Sequence, residues 1–169
     1  MSPPSLQNSE LSAHALVGLL ADLLLKKGWL LASAESCTGG LLSAACTDLA
    51  GSSNWFERGF VTYSNDAKTG MLGVDAALIT RRGAVSEEVV RAMVAAAITH
   101  SKAQVAVAVT GVAGPTGGSR AKPVGTVWFG FQVDGLLTSE TRRFDGDRAA
   151  VREASVRHAL DRLLQLIAP

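Results

Sequence analysis

The stretch Ala34-Glu35-Ser36-Cys37-Thr38-Gly39-Gly40 carries the clearest chemical signal in this chain. An apolar run, Trp29-Leu30-Leu31-Ala32, reads as a short buried strand ending near Ser33, and a helix is expected from about Thr38 to Leu49. A serine on a strand-to-helix turn is placed as a hydrolase places a nucleophile. The turn offers backbone N–H groups and the positive end of a helix dipole, and both stabilise an anion, whether a bound phosphate or a tetrahedral oxyanion. If Ser36 attacks an amide, the N–H groups at the start of the following helix are the expected oxyanion donors. Gly39 and Gly40 let a ligand approach closely, and Cys37 is the alternative nucleophile, since a helix N-terminus activates a thiolate. The plainer reading is that Ser36 or Thr38 only caps the helix.

A nucleophilic serine needs a base, usually histidine. His14, His100 and His158 all fall on expected helices away from any glycine-rich turn, which favours surface or packing roles. Lysine is left. Lys68 follows a strand ending at Tyr63, among small or polar residues, and a lysine desolvated in a pocket can lose its proton near neutral pH. Taken alone, a solvated helix lysine is the favoured reading. No His, Cys, Asp or Glu pair has the spacing of a metal motif, and no cofactor is expected.

A second candidate is the run after Thr110, with Gly111, Gly114, Gly117 and Gly118. It fits neither GxGxxG nor a phosphate loop ending in GK[ST]. A loop at the carboxyl end of a buried strand is nevertheless where α/β sheets bind ligands, although it could also be a tight connection. Arg148 stands in the first turn of the last helix, where a cation is disfavoured by about 0.3–1 kcal/mol unless an anion binds there, with a solvated arginine as the alternative of equal weight.

The elements that must hold these residues are legible from period and punctuation. Leu16, Leu19, Leu20, Leu23 and Leu24 mark a helix closed by Lys26-Lys27-Gly28. Phe56 to Tyr63 reads as a strand, Ser64-Asn65-Asp66 starts a short helix, and Ser86-Glu87-Glu88 caps a helix that buries Val90, Met93, Val94 and Ala97. Val105 to Thr110 has no polar alternation and suits a strand buried on both faces. Val124 to Val133 and Leu136 to Phe144, joined by Asp134-Gly135, form a hairpin, and a last helix opens at Asp147. The order implies a single three-layer α/β/α domain with a mixed, mostly parallel sheet, a C-terminal β-hairpin and a final helix.

Composition narrows the classes. With 169 residues, 47% of them hydrophobic, one well-buried core is expected, over residues 9–169 behind a disordered tail at 1–8. A net charge of +1 without a basic block argues against nucleic-acid binding. Neither a signal peptide nor a membrane span is visible, so a cytoplasmic protein is expected. Cys37 and Cys46 suit small buried side chains better than a disulfide.

Taken together, Ala34 to Gly40, Trp55 to Asn65, Ala67-Lys68, Gly83-Ala84-Val85-Ser86, Gly114 to Gly118 and Lys122 to Val127 resemble the CinA C-terminal domain family. The resemblance covers roughly residues 10 to 165 and is closest to the stand-alone amidohydrolases of that family, since the chain has no room for a large additional domain. It implies hydrolysis of the carboxamide of nicotinamide mononucleotide to nicotinic acid mononucleotide and ammonia. In that family the residue matching Ser36 is the nucleophile and that matching Lys68 its base, with those matching Tyr63 and Thr110 nearby. Tyr63 is then expected to position Lys68 or relay its proton, and Arg148 with the Gly111 to Gly118 loop to read the phosphate. The expected partner is a small-molecule nucleotide, with the chain itself a homo-oligomer. A non-catalytic nucleotide-binding module, or a competence or DNA-damage accessory domain, is the alternative.

Overall fold

The computed structural model describes residues 11–168, so the expectation of a disordered tail at 1–8 lies outside the described residues. The first helix, α1 (Ala13–Lys27), is capped by Ser12, and Gly28, in the left-handed region, stops it. Five strands follow: β1 (Leu31–Glu35), β2 (Phe56–Val61), β3 (Val105–Gly111), β4 (Thr126–Val133) and β5 (Leu136–Arg143). The other helices are α2 (Leu41–Thr47), α3 (Asn65–Leu72), α4 (Ala76–Arg82), α5 (Glu87–Thr99) and α6 (Arg148–Ile167).

The strands form one sheet in the order β2-β1-β3-β4-β5. β1 pairs in parallel with β2 and β3, whereas β4 is antiparallel to both β3 and β5. Only β4 therefore runs against the rest, in agreement with a mixed, mostly parallel sheet. The hairpin turn is as expected: Asp134 and Gly135 both have positive φ, at 48° and 84°, which matches the right-handed twist of the two strands.

β3 shows how one strand serves two cores. Val105, Val107 and Val109 pack with α1, α6 and the phenylalanines of β4, while Ala106 and Ala108 face the opposite way, towards α5. Small residues on that side bring α5 close: a Cβ at Gly130 of β4 would stand 2.8 Å from the Val90 carbonyl oxygen. Burial on both faces explains why the strand has no polar alternation. The stripe predicted for α5 is buried as expected, as are Val156, Leu160, Leu163 and Ile167 of α6.

Several boundaries differ from the sequence reading. The first strand begins at Leu31 and extends to Glu35, because Trp29 is still held by the α1 C-cap, its N–H donating to Leu24 O. α2 begins only at Leu41, since Gly39 and Gly40 have φ of 56° and 103°, outside the helical region. β2 ends at Val61, and one further ladder bond, Thr62 N–H to Glu35 O, leads out of the sheet. α4 escaped the reading because its single buried residue, Ile79, leaves no periodic stripe.

Candidate active site

Parallel pairing of β1 with β2 and β3 places the carboxyl ends of three strands side by side, and the chemistry collects there. Ser36 is the first residue beyond β1, and its N–H donates to Val109 O of β3 at 2.9 Å, which ties the turn to the sheet. A cleft of about 280 Å³ opens over it, lined by Ser36, Cys37, Tyr63, Lys68, Thr110 and Arg148 among others.

Lys68 belongs to α3, capped by Ser64, and only 1% of its surface is exposed. Its Nζ donates to Ser36 Oγ at 3.0 Å and to Thr62 O at 2.9 Å. Burial holds its pKa below the ordinary lysine value, against a small opposing effect of the Cys37 thiol. Two residues 32 positions apart in the chain thus form a close hydroxyl-and-amine pair. The solvated-lysine alternative is excluded.

Capping by Ser36 or Thr38 is excluded as well. The cap of α2 comes from inside the sheet: Glu35, fully buried, accepts from Leu42 N–H at 2.8 Å and Ser43 N–H at 3.1 Å. Its other contacts are the Thr38 hydroxyl and the Ser43 hydroxyl, both at 2.7 Å. A carboxylate that accepts four donors at a helix N-terminus is a charge-assisted anchor. These bonds occupy the Leu42 and Ser43 N–H groups, and Leu41 N–H donates to Thr38 O, so the expectation that the start of the helix supplies oxyanion donors is corrected. The N–H groups of Cys37 and Thr38, in the turn itself, donate to no oxygen among the described residues.

Cys37 lines the cleft, but burial pushes its thiol up to about 11, which is the reverse of thiolate activation. Cys37 and Cys46 are both free and buried. Tyr63 is 61% exposed, and its hydroxyl accepts from Arg148 Nη2 at 2.9 Å rather than contacting Lys68. The atom that holds Lys68 is the neighbouring Thr62 carbonyl, so the positioning expected of Tyr63 is corrected. Arg148 also donates to Gly114 O at 2.8 Å and so joins the β2–α3 connection to the glycine-rich loop across the mouth of the cleft.

Thr110 Oγ1 donates to Ala84 O at 2.9 Å and holds the 83–86 segment as one wall. Gly111 is part of the lining, whereas Thr38, Gly39, Gly40, Gly114, Gly117 and Gly118 are not. Gly118 serves its own loop: a Cβ there would stand 2.9 Å from Lys122 O. The sequence reading missed Asn65, Ala84, Val85 and Ala113, which line the cleft, together with Glu35 and Arg152 around the turn. Arg152 could have been suspected from its place one helical turn beyond Arg148, on the same face of α6.

None of the three histidines lines the cleft, and His158 is engaged elsewhere with Glu140, at 2.6 Å. Among the described residues no group of three His, Cys, Asp or Glu side chains could hold a metal ion, and no helix is long and apolar enough to cross a membrane.

A family model described as the CinA C-terminal domain matches residues 13–167. The chain belongs to this family. Among its CinA-family relatives, the nicotinamide-nucleotide amidohydrolase PncC of Pseudomonas putida is 59% identical over 134 residues, which cover 79% of this chain and 84% of that protein. The PncC of Enterobacter agglomerans is 53% identical over 145 residues, covering 85% and 88%. A crystal structure of the competence damage-inducible protein A from Klebsiella pneumoniae superposes with a TM-score of 0.91 at 38% identity, covering 94% of this chain and 98% of that one.

Proposed function

We propose that this protein hydrolyses the carboxamide of nicotinamide mononucleotide, giving nicotinic acid mononucleotide and ammonia, with Ser36 as nucleophile and Lys68 as base. The observation that carries the mechanism is the 3.0 Å contact between Lys68 Nζ and Ser36 Oγ in a buried setting that disfavours the ammonium form. The choice of substrate is supported by the names of the PncC relatives.

With Lys68 neutral, the contact reverses and the Ser36 hydroxyl donates to the amine. As Ser36 Oγ bonds to the amide carbon, its proton passes to Nζ and the carbonyl π pair moves onto oxygen. The Cys37 and Thr38 N–H groups of the same turn, which have no oxygen partner among the described residues, receive that charge. Collapse of the intermediate breaks the C–N bond, and Lys68 returns the proton to the departing nitrogen, which leaves as ammonia. Water, activated by the same amine, then hydrolyses the acyl-serine. Proton transfer of this kind contributes roughly 10²–10⁴-fold.

The test is ammonia release from nicotinamide mononucleotide by the purified protein and by Ser36→Ala. Turnover by the wild type and loss in the variant, with nucleotide binding retained, is the expected result. A wild-type protein that binds the nucleotide without releasing ammonia would be a binding module, and the amidase reading would fall.

A further inference from the structure

The turn that carries Ser36 is gripped from behind by a residue outside the cleft. Arg152, on α6, donates from Nε to Cys37 O at 3.1 Å and from Nη2 to Thr38 O at 3.2 Å. A planar fork suits two successive carbonyls because it meets each with a separate nitrogen held at fixed spacing, whereas a lysine would have to reach both from one. Gly39 leaves room for it, since a Cβ at that position would stand 3.3 Å from Arg152 Nη2.

The consequence follows from peptide geometry. In a trans peptide the C=O and N–H of one unit point in opposite directions. Cys37 C=O shares its peptide with Thr38 N–H, so the bond to Nε turns that N–H away from α6. Thr38 C=O shares its peptide with Gly39 N–H, which donates to Ser36 O at 3.0 Å, and Ser36 C=O shares its peptide with Cys37 N–H. Both N–H groups of the turn that have no oxygen partner thus lie at the ends of hydrogen-bonded chains that start at one guanidinium. Such chains polarise each successive donor in the same sense, and a cation at the head adds to the effect.

We infer that Arg152 is a positioning residue for amide hydrolysis: it aims and polarises the Cys37 and Thr38 N–H groups for the oxyanion formed at Ser36, without itself touching substrate. The inference rests on the amidase reading above. It predicts that loss of Arg152 acts on the transition state and leaves ground-state binding alone.

The experiment compares wild type, Arg152→Ala and Arg152→Lys. Steady-state kinetics on nicotinamide mononucleotide are combined with binding of its 3-aldehyde analogue, whose hemiacetal with Ser36 carries the same oxyanion. Arg152→Ala should lower kcat by about 100-fold, the scale of losing an oxyanion donor, with KM within about threefold. Affinity for the aldehyde should fall in step with kcat/KM, while affinity for nicotinic acid mononucleotide, which forms no adduct, should hold. Arg152→Lys, which keeps the charge but loses the fixed fork, should lose about tenfold. Should Arg152→Ala not fold, the lysine variant decides by the same comparison. Unchanged kcat, or equal losses in affinity for aldehyde and acid, would overturn the inference. An unmutated protein that releases no ammonia would instead overturn the amidase reading beneath it.

Discussion

Lys68 Nζ stands between two oxygens, Ser36 Oγ at 3.0 Å and Thr62 O at 2.9 Å, in a position almost closed to solvent. The Thr62 carbonyl accepts one N–H and so aims the remaining valences of nitrogen at the serine. A guanidinium in this place could not accept a proton at any working pH. Lys68→Arg is therefore expected to lose at least about 100-fold in kcat/KM despite keeping the charge. Because the base must be neutral, kcat/KM of the wild type should rise with pH. Its limb should have unit slope and an inflection below the ordinary lysine value, since burial lowers the Lys68 pKa. A Lys68→Arg rate within a few-fold of wild type would remove the base from the scheme.

Cys37 gives a prediction of opposite character. With its thiol pushed up to about 11, it stays protonated throughout the neutral range. Cys37→Ala should keep kcat within about threefold, and iodoacetamide at pH 7 should leave activity intact. Abolished turnover in Cys37→Ala, with Ser36→Ala unaffected, would transfer the nucleophile's role to the thiol.

The Glu35 anchor makes the turn depend on a charge that never meets substrate. Glu35→Gln replaces one acceptor oxygen by an NH₂ that faces donors, leaving buried polar groups without partners, and should cost about 2–3 kcal/mol. Gly59, on the edge strand β2, is coupled to the same network. A Cβ there would collide with the Ser43 hydroxyl and stand 2.9 Å from that of Ser33, so Gly59→Ala should cost about 1–3 kcal/mol although the residue is exposed. Urea unfolding measures both, and a change below about 0.5 kcal/mol in either would refute the coupling.

Arg148 is the candidate for reading the phosphate, held at the cleft mouth by Tyr63 and Gly114. A charge-assisted contact contributes about 1.5–3 kcal/mol. Arg148→Ala should then lower kcat/KM on the mononucleotide by about ten- to a hundredfold and scarcely alter the slow reaction of the riboside, which lacks the phosphate. Equal losses on the two substrates would assign Arg148 to the support of Tyr63 and the glycine-rich loop.

Much of this molecule is determined locally. Ser86 and Asp147 as caps, the Asp134-Gly135 turn and the unbroken valine-and-alanine run of β3 each specify an element through interactions within a few residues, and the structure contains each of them. Ser36 was legible for the same reason, since a strand, a turn with two glycines and a helix are consecutive in the chain.

What tertiary structure decided are the directions of side chains that meet across long separations. Sequence cannot tell whether Lys68 points into solvent or into a protein interior; the parallel register of β2 against β1 turns α3 back over Ser36 and settles it. The same holds for Glu35, whose type suggests exposure. It lies at the buried end of the interior strand β1, where its partners are two hydroxyls and the N–H groups of a helix that starts later than the sequence reading placed it. Tyr63 and Arg148, 85 residues apart, meet because α6 begins at the cleft, and no periodicity records that placement. Local propensity acts over a few residues, whereas a site is assembled from strand ends that only the sheet order brings together.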